Sequence, residues 1–588
     1  MALRVPQANG PQLFKEGYKN LQGLEEVIFR NIQATKEMSE LTRTSFGPNG
    51  RNKMVVNHLE KLFVTNDAAT IIRELEVVHP AAKLIVMASQ QQEAEAGDGT
   101  NYVVIFASEL LQRAESLLRM GLHPSEIARG YELALKAGLK ALEGLAVAQV
   151  AQWGGGGELL KAITTAIASK QYGQESVLGA LVVEAVAAAL PARDPTRFNV
   201  DNVRVVKVLG GALAQSRVEH GMVFPRAPET AATHVRFGKV AVFACPVDMG
   251  QTETKGTVLL HSAGEMLDYT KGEEAQMARV VTELHEAGVA AVICGAGVGD
   301  LAIHYFNRRG MLALKVPSKF ELRRLCRVVG ANPLARLGVP TPEEMGYCDE
   351  IRTAEIGGDR VTVVRQWTAD EIAAAGEAAA AGRPAFADRI QRSPLVTVVL
   401  RGATQNALDD AERAVDDGVN VVKALTKDAR LVAGACATEM ELSRLVHEAA
   451  DRTAGISQHA MKAFAQALEV FARTMGDNAG VDSTALVAKL IAAHHQKEQQ
   501  PADAGDAAAE AVLMGPAVGV DVDCDFEPRT VDAVARGILD PLAVKQWGLT
   551  YATQAALTVL QVDQIVMAKT AGGPKLPKQN PGHWDEDD

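Results

Sequence analysis

The sequence predicts a multidomain chain of mixed α+β and α/β class: a mostly helical unit built from both ends of the chain, with α/β material inserted between them. Three observations lead there. Helical spacing of apolar residues fills most of the first 190 positions and returns near the C-terminus; short β-branched runs alternate with helical segments between Val203 and Val364; and 588 residues exceed what one hydrophobic core accommodates, so three or four domains are expected.

Taken in order, residues 20 to 45 show helical spacing (Leu24, Val27, Ile28, Ile32) and stop at the turn signal Phe46-Gly47-Pro48-Asn49-Gly50. Lys53 to Val56 and Leu62 to Thr65 read as the two strands of a hairpin, after which Asn66 or Asp67 caps a helix through Ile71 and Ile72. Pro80 to Leu145 is helical with breaks at Gly97 to Thr100 and Gly121 to Pro124, and Ala-rich helical sequence follows the Gly154 to Gly157 run as far as Leu190. Strands are expected at 240–243, 290–293, 311–314 and 361–364, with a helix at 301–309. Ala369 to Pro394 reads as an insertion or linker, Val396 to Leu400 as a strand and Asn406 to Lys423 as a helix. Helical spacing then runs from Glu439 to Leu490 and from Leu549 to Met567, with an exposed loop expected near 497–506 and a disordered, acidic end beyond Gly572.

The bulk composition excludes several classes of function. Lys and Arg total 60 against 72 Asp and Glu, a net charge of -12, which argues against nucleic acid or an anionic membrane as partner. The six cysteines show neither metal-binding nor disulfide-framework spacing, so free thiols in a reducing, cytoplasmic setting are expected. No apolar run approaches the length needed to cross a bilayer.

Chemistry centres on Gly97-Asp98-Gly99-Thr100-Asn101. The glycines let backbone approach a bulky anion, Thr100 and Asn101 are good N-cap residues, and the helix that follows offers free N–H groups and about half a positive charge to a phosphate. Asp98 beside them suits a hard cation such as Mg2+. Alone, the string reads more readily as a capped turn, so it needs partners elsewhere in the chain. The P-loop string Gly-x-x-x-x-Gly-Lys-Ser/Thr is absent, so ATP use must follow another design. Gly295 to Gly299, between a strand and a helix, has the wrong spacing for a dinucleotide fingerprint and is accounted for by a tight turn. Asp67 and Asp417 stand out beside Asp98. If the three converge on a triphosphate, Asp98 holds the metal while Asp67 and Asp417 orient and deprotonate water; Lys170 is a candidate phosphate sensor. Like charges at about 4 Å repel by roughly 4 kcal/mol at an effective dielectric near 20, so such a site requires cations among its carboxylates.

Arg43 to Gly50, Val64 to Thr70, Gly97 to Thr100, Glu412 to Asp417 and Gly537 to Asp540, in this order and across nearly the whole chain, resemble the group II chaperonins. Asn49, Asn57 to Phe63 and Val562 to Lys569 narrow the resemblance to one subunit type of the eukaryotic cytosolic chaperonin. The resemblance implies an ATP-driven protein-folding machine of two stacked eight-membered rings of paralogous subunits that encloses unfolded client proteins. It implies an equatorial domain at 1–150 and 434–572, an intermediate domain at 151–221 and 394–433, and an α/β apical domain at 222–367 with a helical protrusion near 248–279, leaving 368–393 as an insertion and 573–588 as a tail. Carried over by position, Gly47, Pro48, Asn49, Asp98, Gly99, Thr100, Asn101, Lys170, Gly434, Ala435 and Asp540 would surround ATP, Asp98 would bind Mg2+, and Asp67 and Asp417 would be the hydrolytic carboxylates. Ala435 and Cys436 stand where the family has glycine. A left-handed backbone at Ala435 would store strain on the order of 1 to 2 kcal/mol and weaken nucleotide binding about tenfold. The alternative is a ring subunit that holds nucleotide, hydrolyses it slowly and serves mainly structural and client-contact roles.

Overall fold

The computed structural model describes residues 19–21, 24–57, 59–191, 194–248, 262–367, 394–495, 515–523 and 527–567. The expected insertion at 368–393, the loop near 497–506, the tail, and positions 249–261 of the protrusion lie outside these residues; Ala263–Glu286, which includes the second half of the expected protrusion, is one helix.

The largest core is helical and joins both ends of the chain. In the helix Leu24–Arg43 the buried positions Ile28, Ile32, Thr35, Ser39 and Thr42 recur every three to four residues and so share one face. That face packs on Thr100–Arg119, a helix buried almost all round through Leu111. Ser108 Oγ donates to Thr35 O at 3.1 Å, so the small polar residues between the two helices are satisfied. Pro80–Ala96, Pro124–Glu143, Ser457–Leu468 and Leu542–Leu560 surround the same helix. Phe106 and Phe464 meet edge to face at 5.3 Å, Tyr102 stacks on Phe471 at 4.1 Å, and each fully buried ring contributes about 1.5 to 3 kcal/mol.

A second core is formed by the helices Glu158–Ala168, Glu175–Ala189 and Gln405–Lys427. Beyond it lies an eight-stranded mixed sheet in the order Val203–Leu209, Val396–Gly402, Arg217–Phe224, Asp359–Arg365, Gly346–Ile356, His234–Phe243, Val289–Cys294 and Leu312–Lys315. Its last three strands are mutually parallel, with helices including Asp300–Arg309 and Lys319–Val329 on its faces. The strand Arg217–Phe224 crosses the expected boundary at 221/222: its first half pairs with 396–399 and its second half with 362–365. Gly221 sits at the exchange, where a Cβ would lie 2.1 Å from Val364 O.

The hairpin strands are Lys53–Val56 and Leu62–Thr65, as expected. Three expectations are corrected. Ile565–Met567 is not the end of a helix but a strand, paired antiparallel with Lys19–Leu21, a segment whose last two residues were expected to begin the first helical pattern. The helix Leu542–Leu560 begins seven residues earlier than its apolar pattern indicated. Finally, Gly99 rather than Thr100 or Asn101 is the N-cap of Thr100–Arg119, because its left-handed backbone turns the chain into the helix without a side-chain cap.

Candidate functional site

Between the helical core and the second core lies a cavity of about 350 Å³, a volume suited to a small-molecule ligand. Its floor is the turn Gly97-Asp98-Gly99. Gly97 and Gly99 are both left-handed, at φ 70° and 80°, and Gln92 Nε2 pins the turn by donating to Asp98 O at 2.9 Å and to Val544 O at 3.2 Å. Asp98 Oδ1 accepts from Gly99 N, and the first N–H groups of the following helix open beside it. A second glycine turn, Gly47-Pro48, forms another wall. Asn478 holds it through donation to Arg43 O and Phe46 O.

Three further segments bring charge to this floor. Asp67 caps the helix Ala68–Glu74: its Oδ2 accepts from Thr70 N and Thr70 Oγ1, which directs Oδ1 to Lys170 Nζ at 2.6 Å. Lys170 lies in the turn after Glu158–Ala168, and Asn66 Nδ2 donates to its carbonyl. Asp417 projects from Gln405–Lys427 and places Oδ2 3.4 Å from the same Nζ. Burial alone would lift the Asp67 carboxyl, but Lys170 and Thr70 outweigh it and hold the group below the usual carboxylate range. Asp417 shows the opposite balance: burial, with Asp98 and Asp67 adding repulsion, lifts it well above that range despite Lys170. Asp98 is also lifted, chiefly by burial. Burial disfavours the Lys170 charge, yet Asp67, Asp417 and Asp98 together keep its ammonium above the ordinary lysine range.

The remaining wall comes from the C-terminal part of the chain. Strand Arg430–Ala433 leads through Gly434 to Ala435 and Cys436, whose φ angles of 51° and 64° are both left-handed. Gly434 N donates to Ile538 O and Val520 N to Ala435 O, so the strained turn is fixed on both sides. Asp540 lies on Leu539–Pro541, and Lys545 joins Asp540 at 3.0 Å to Glu439.

Of the residues expected at the site, Gly47, Pro48, Asp98, Gly99, Thr100, Asn101, Lys170, Ala435 and Asp540 line the cavity. Asp67 and Asp417 stand behind Lys170 rather than in the wall, and Asn49 and Gly434 are not among the lining residues. Gly295 to Gly299 lie elsewhere, in a strand-to-helix turn where Asp248 fills the space beside Gly299. Sequence reasoning missed Tyr102, Tyr172, Glu439, Asp523 and Lys545. One signal was available: Lys545 is the only charged residue in the nineteen-residue helix Leu542–Leu560. Among the described residues, Asn101 Oδ1, Tyr102 OH and Glu439 Oε2 are buried without a protein hydrogen-bond partner, as polar groups at a ligand site are.

The model of the TCP-1/cpn60 chaperonin family matches residues 38–570. The chain is 53% identical over 587 residues to a probable T-complex protein 1 subunit theta of Schizosaccharomyces pombe. It is 47% identical over 598 residues to the T-complex protein 1 subunit theta of Saccharomyces cerevisiae, and 45% identical over 588 residues to that of Homo sapiens. Each alignment covers 100% of both chains. A family match over most of the sequence and end-to-end identity at this level place the chain in the TCP-1/cpn60 chaperonin family, as a chaperonin subunit.

Proposed function

We propose that this subunit binds and hydrolyses ATP, and that hydrolysis drives closure over unfolded client proteins in a cytosolic double ring of eight-membered, paralogous composition. The observation that carries the reading is the bridge from Lys170 to both Asp67 and Asp417, drawn from segments 103 and 247 residues away and set beside the Asp98 turn. The helical core would be the equatorial domain (1–150 and 434–572), the second core the intermediate domain (151–221 and 394–433), and 222–367 the apical client-binding domain. Five described cysteines are free thiols, in keeping with the cytosol.

The residues fit Mg2+. Asp98 presents a buried carboxyl at a helix N-terminus, and three carboxylates face a single lysine. Among the described residues no group of three or more His, Cys, Asp or Glu could hold a metal ion, and Asp98 would be the protein's ligand to Mg2+. Bound there, the ion would neutralise phosphate charge. Thr100 and Asn101 would offer N–H groups to the phosphates, and Lys170 would contact the terminal phosphate. Asp67 and Asp417, both paired with Lys170, would orient and deprotonate the attacking water.

A second reading, slow turnover with mainly structural duties, is favoured by the left-handed Ala435 and Cys436 at the cavity wall. The test is Asp417→Ala in this chain, in assemblies whose other subunits carry the equivalent substitution, so that only this chain can turn over. Turnover by this chain should fall roughly 10²- to 10⁴-fold with nucleotide still bound. An unchanged rate would remove Asp417 from the chemistry; measurable binding with negligible turnover in the unsubstituted chain would favour the structural reading.

A further inference from the structure

The cavity mouth is crossed by one side-chain contact that the hydrolytic scheme does not use. Lys170 and Tyr172 lie two residues apart in the turn that joins the helices Glu158–Ala168 and Glu175–Ala189. Lys170 is held inside by Asp67 and Asp417. Tyr172 points to the opposite rim, where its phenol donates to Asp523 Oδ1. Asp523 is in turn backed by Arg536 Nη1 at 3.4 Å from Oδ2. All three side chains line the cavity. They also join separate walls: Tyr172 lies in the exposed turn between two helices of the second core, while Asp523 and Arg536 flank the strand pair Val518–Val520 and Thr530–Asp532. Near this rim Leu539 N also donates to Thr165 Oγ1 at 3.2 Å.

We propose that Tyr172 is a positioning residue for the nucleotide reaction: by clasping Asp523 across the mouth it holds the turn that carries Lys170 in place and sets how fast nucleotide leaves. The inference rests on the nucleotide reading given above. The ring is 47% exposed, so the clasp meets solvent and opens without disrupting a core. The hydrogen bond to Asp523, followed by partial burial, pushes the phenol up to about 12, so it remains a donor throughout the neutral range. A hydrogen bond of this kind, half open to water, is strong enough to slow escape and weak enough to release product on each cycle.

The experiment measures dissociation of MgADP from the intact assembly by rapid mixing and chase, comparing this chain unsubstituted with Tyr172→Phe, Asp523→Ala, Asp523→Asn and the Tyr172→Phe/Asp523→Ala pair. Tyr172→Phe removes only the hydroxyl and should speed release roughly three- to tenfold. Asp523→Ala should match it, and the double variant should be no faster than either single one, because both remove the same contact. Asp523→Asn keeps an oxygen acceptor and should restore slow release, which loosened folding would not produce. If the Phe and Ala variants release MgADP at the unsubstituted rate, or if their effects multiply, the clasp is overturned while the nucleotide reading stands. If the unsubstituted chain binds no MgADP, the nucleotide reading fails and the clasp with it.

Discussion

Ala435 and Cys436 adopt a conformation that glycine would occupy freely, and Ala435 O and Cβ would come within 2.6 and 2.8 Å of a Cβ placed on Gly519. The tight fit makes the strain local rather than shared. Ala435→Gly relieves about 1 to 2 kcal/mol of left-handed strain and gives back part of it in unfolded-chain entropy. The expected net gain is about 0.5 to 1 kcal/mol in chemical unfolding, together with tighter nucleotide binding by titration. A different residue-scale device holds the neighbouring strand Val518–Val520. His494 faces Glu441 Oε2 at 2.8 Å through Nδ1 and Val518 O at 2.9 Å through Nε2, and Arg444 pairs with the same carboxylate. Burial would raise the Glu441 carboxyl, but His494 and Arg444 overcome it and bring it down to about 2. A depressed carboxyl adds stability that is present above its unfolded value and is lost as pH falls through the folded one. Glu441→Gln should therefore cost about 2 to 3 kcal/mol at neutral pH, and the difference from the unsubstituted protein should shrink between about pH 4.5 and pH 2 in acid unfolding.

At the scale of elements, the site depends on how closely the helix Gln405–Lys427 approaches the turn that ends Pro80–Ala96. A Cβ at Gly97 would lie 2.1 Å from Asn420 Cβ, less than one helical turn from Asp417, so the missing side chain is what lets Asp417 stand beside Asp98. Gly97→Ala adds left-handed strain to this clash and should destabilise the fold by about 2 to 5 kcal/mol in thermal unfolding. The turn itself was legible because glycine and aspartate act over a few residues, although its cap falls on Gly99 and not on Thr100 or Asn101. The same holds for the hairpin, whose ends are marked locally, and for Asp67, which follows a strand and caps a helix. The contact between Gly97 and Asn420 was not legible, since nothing near position 97 indicates which helix fills the space. Lys19–Leu21 and Ile565–Met567 were missed for a related reason: three-residue strands show no alternation of their own and exist only through each other.

Across the whole molecule, the division into helical ends and an α/β middle could be read from periodicity, because burial repeats along each helix and strand. The convergence of Asp67, Asp98 and Asp417 could not. It follows from packing among elements separated by hundreds of residues, and only the family resemblance anticipated it. That same long-range packing has a consequence for how the protein is made. The helices Leu24–Arg43 through Pro124–Glu143 find covering partners in Ala437–Arg452, Ser457–Leu468, Val470–Ala479 and Leu542–Leu560, on the far side of the α/β insertion. About 290 residues separate Glu143 from the next helix of that core, so a ribosome adding about 5 to 20 residues each second leaves the first helices without their cover for roughly 15 to 60 seconds. A chaperonin subunit thus emerges with sticky surfaces of its own that stay uncovered until translation is nearly finished.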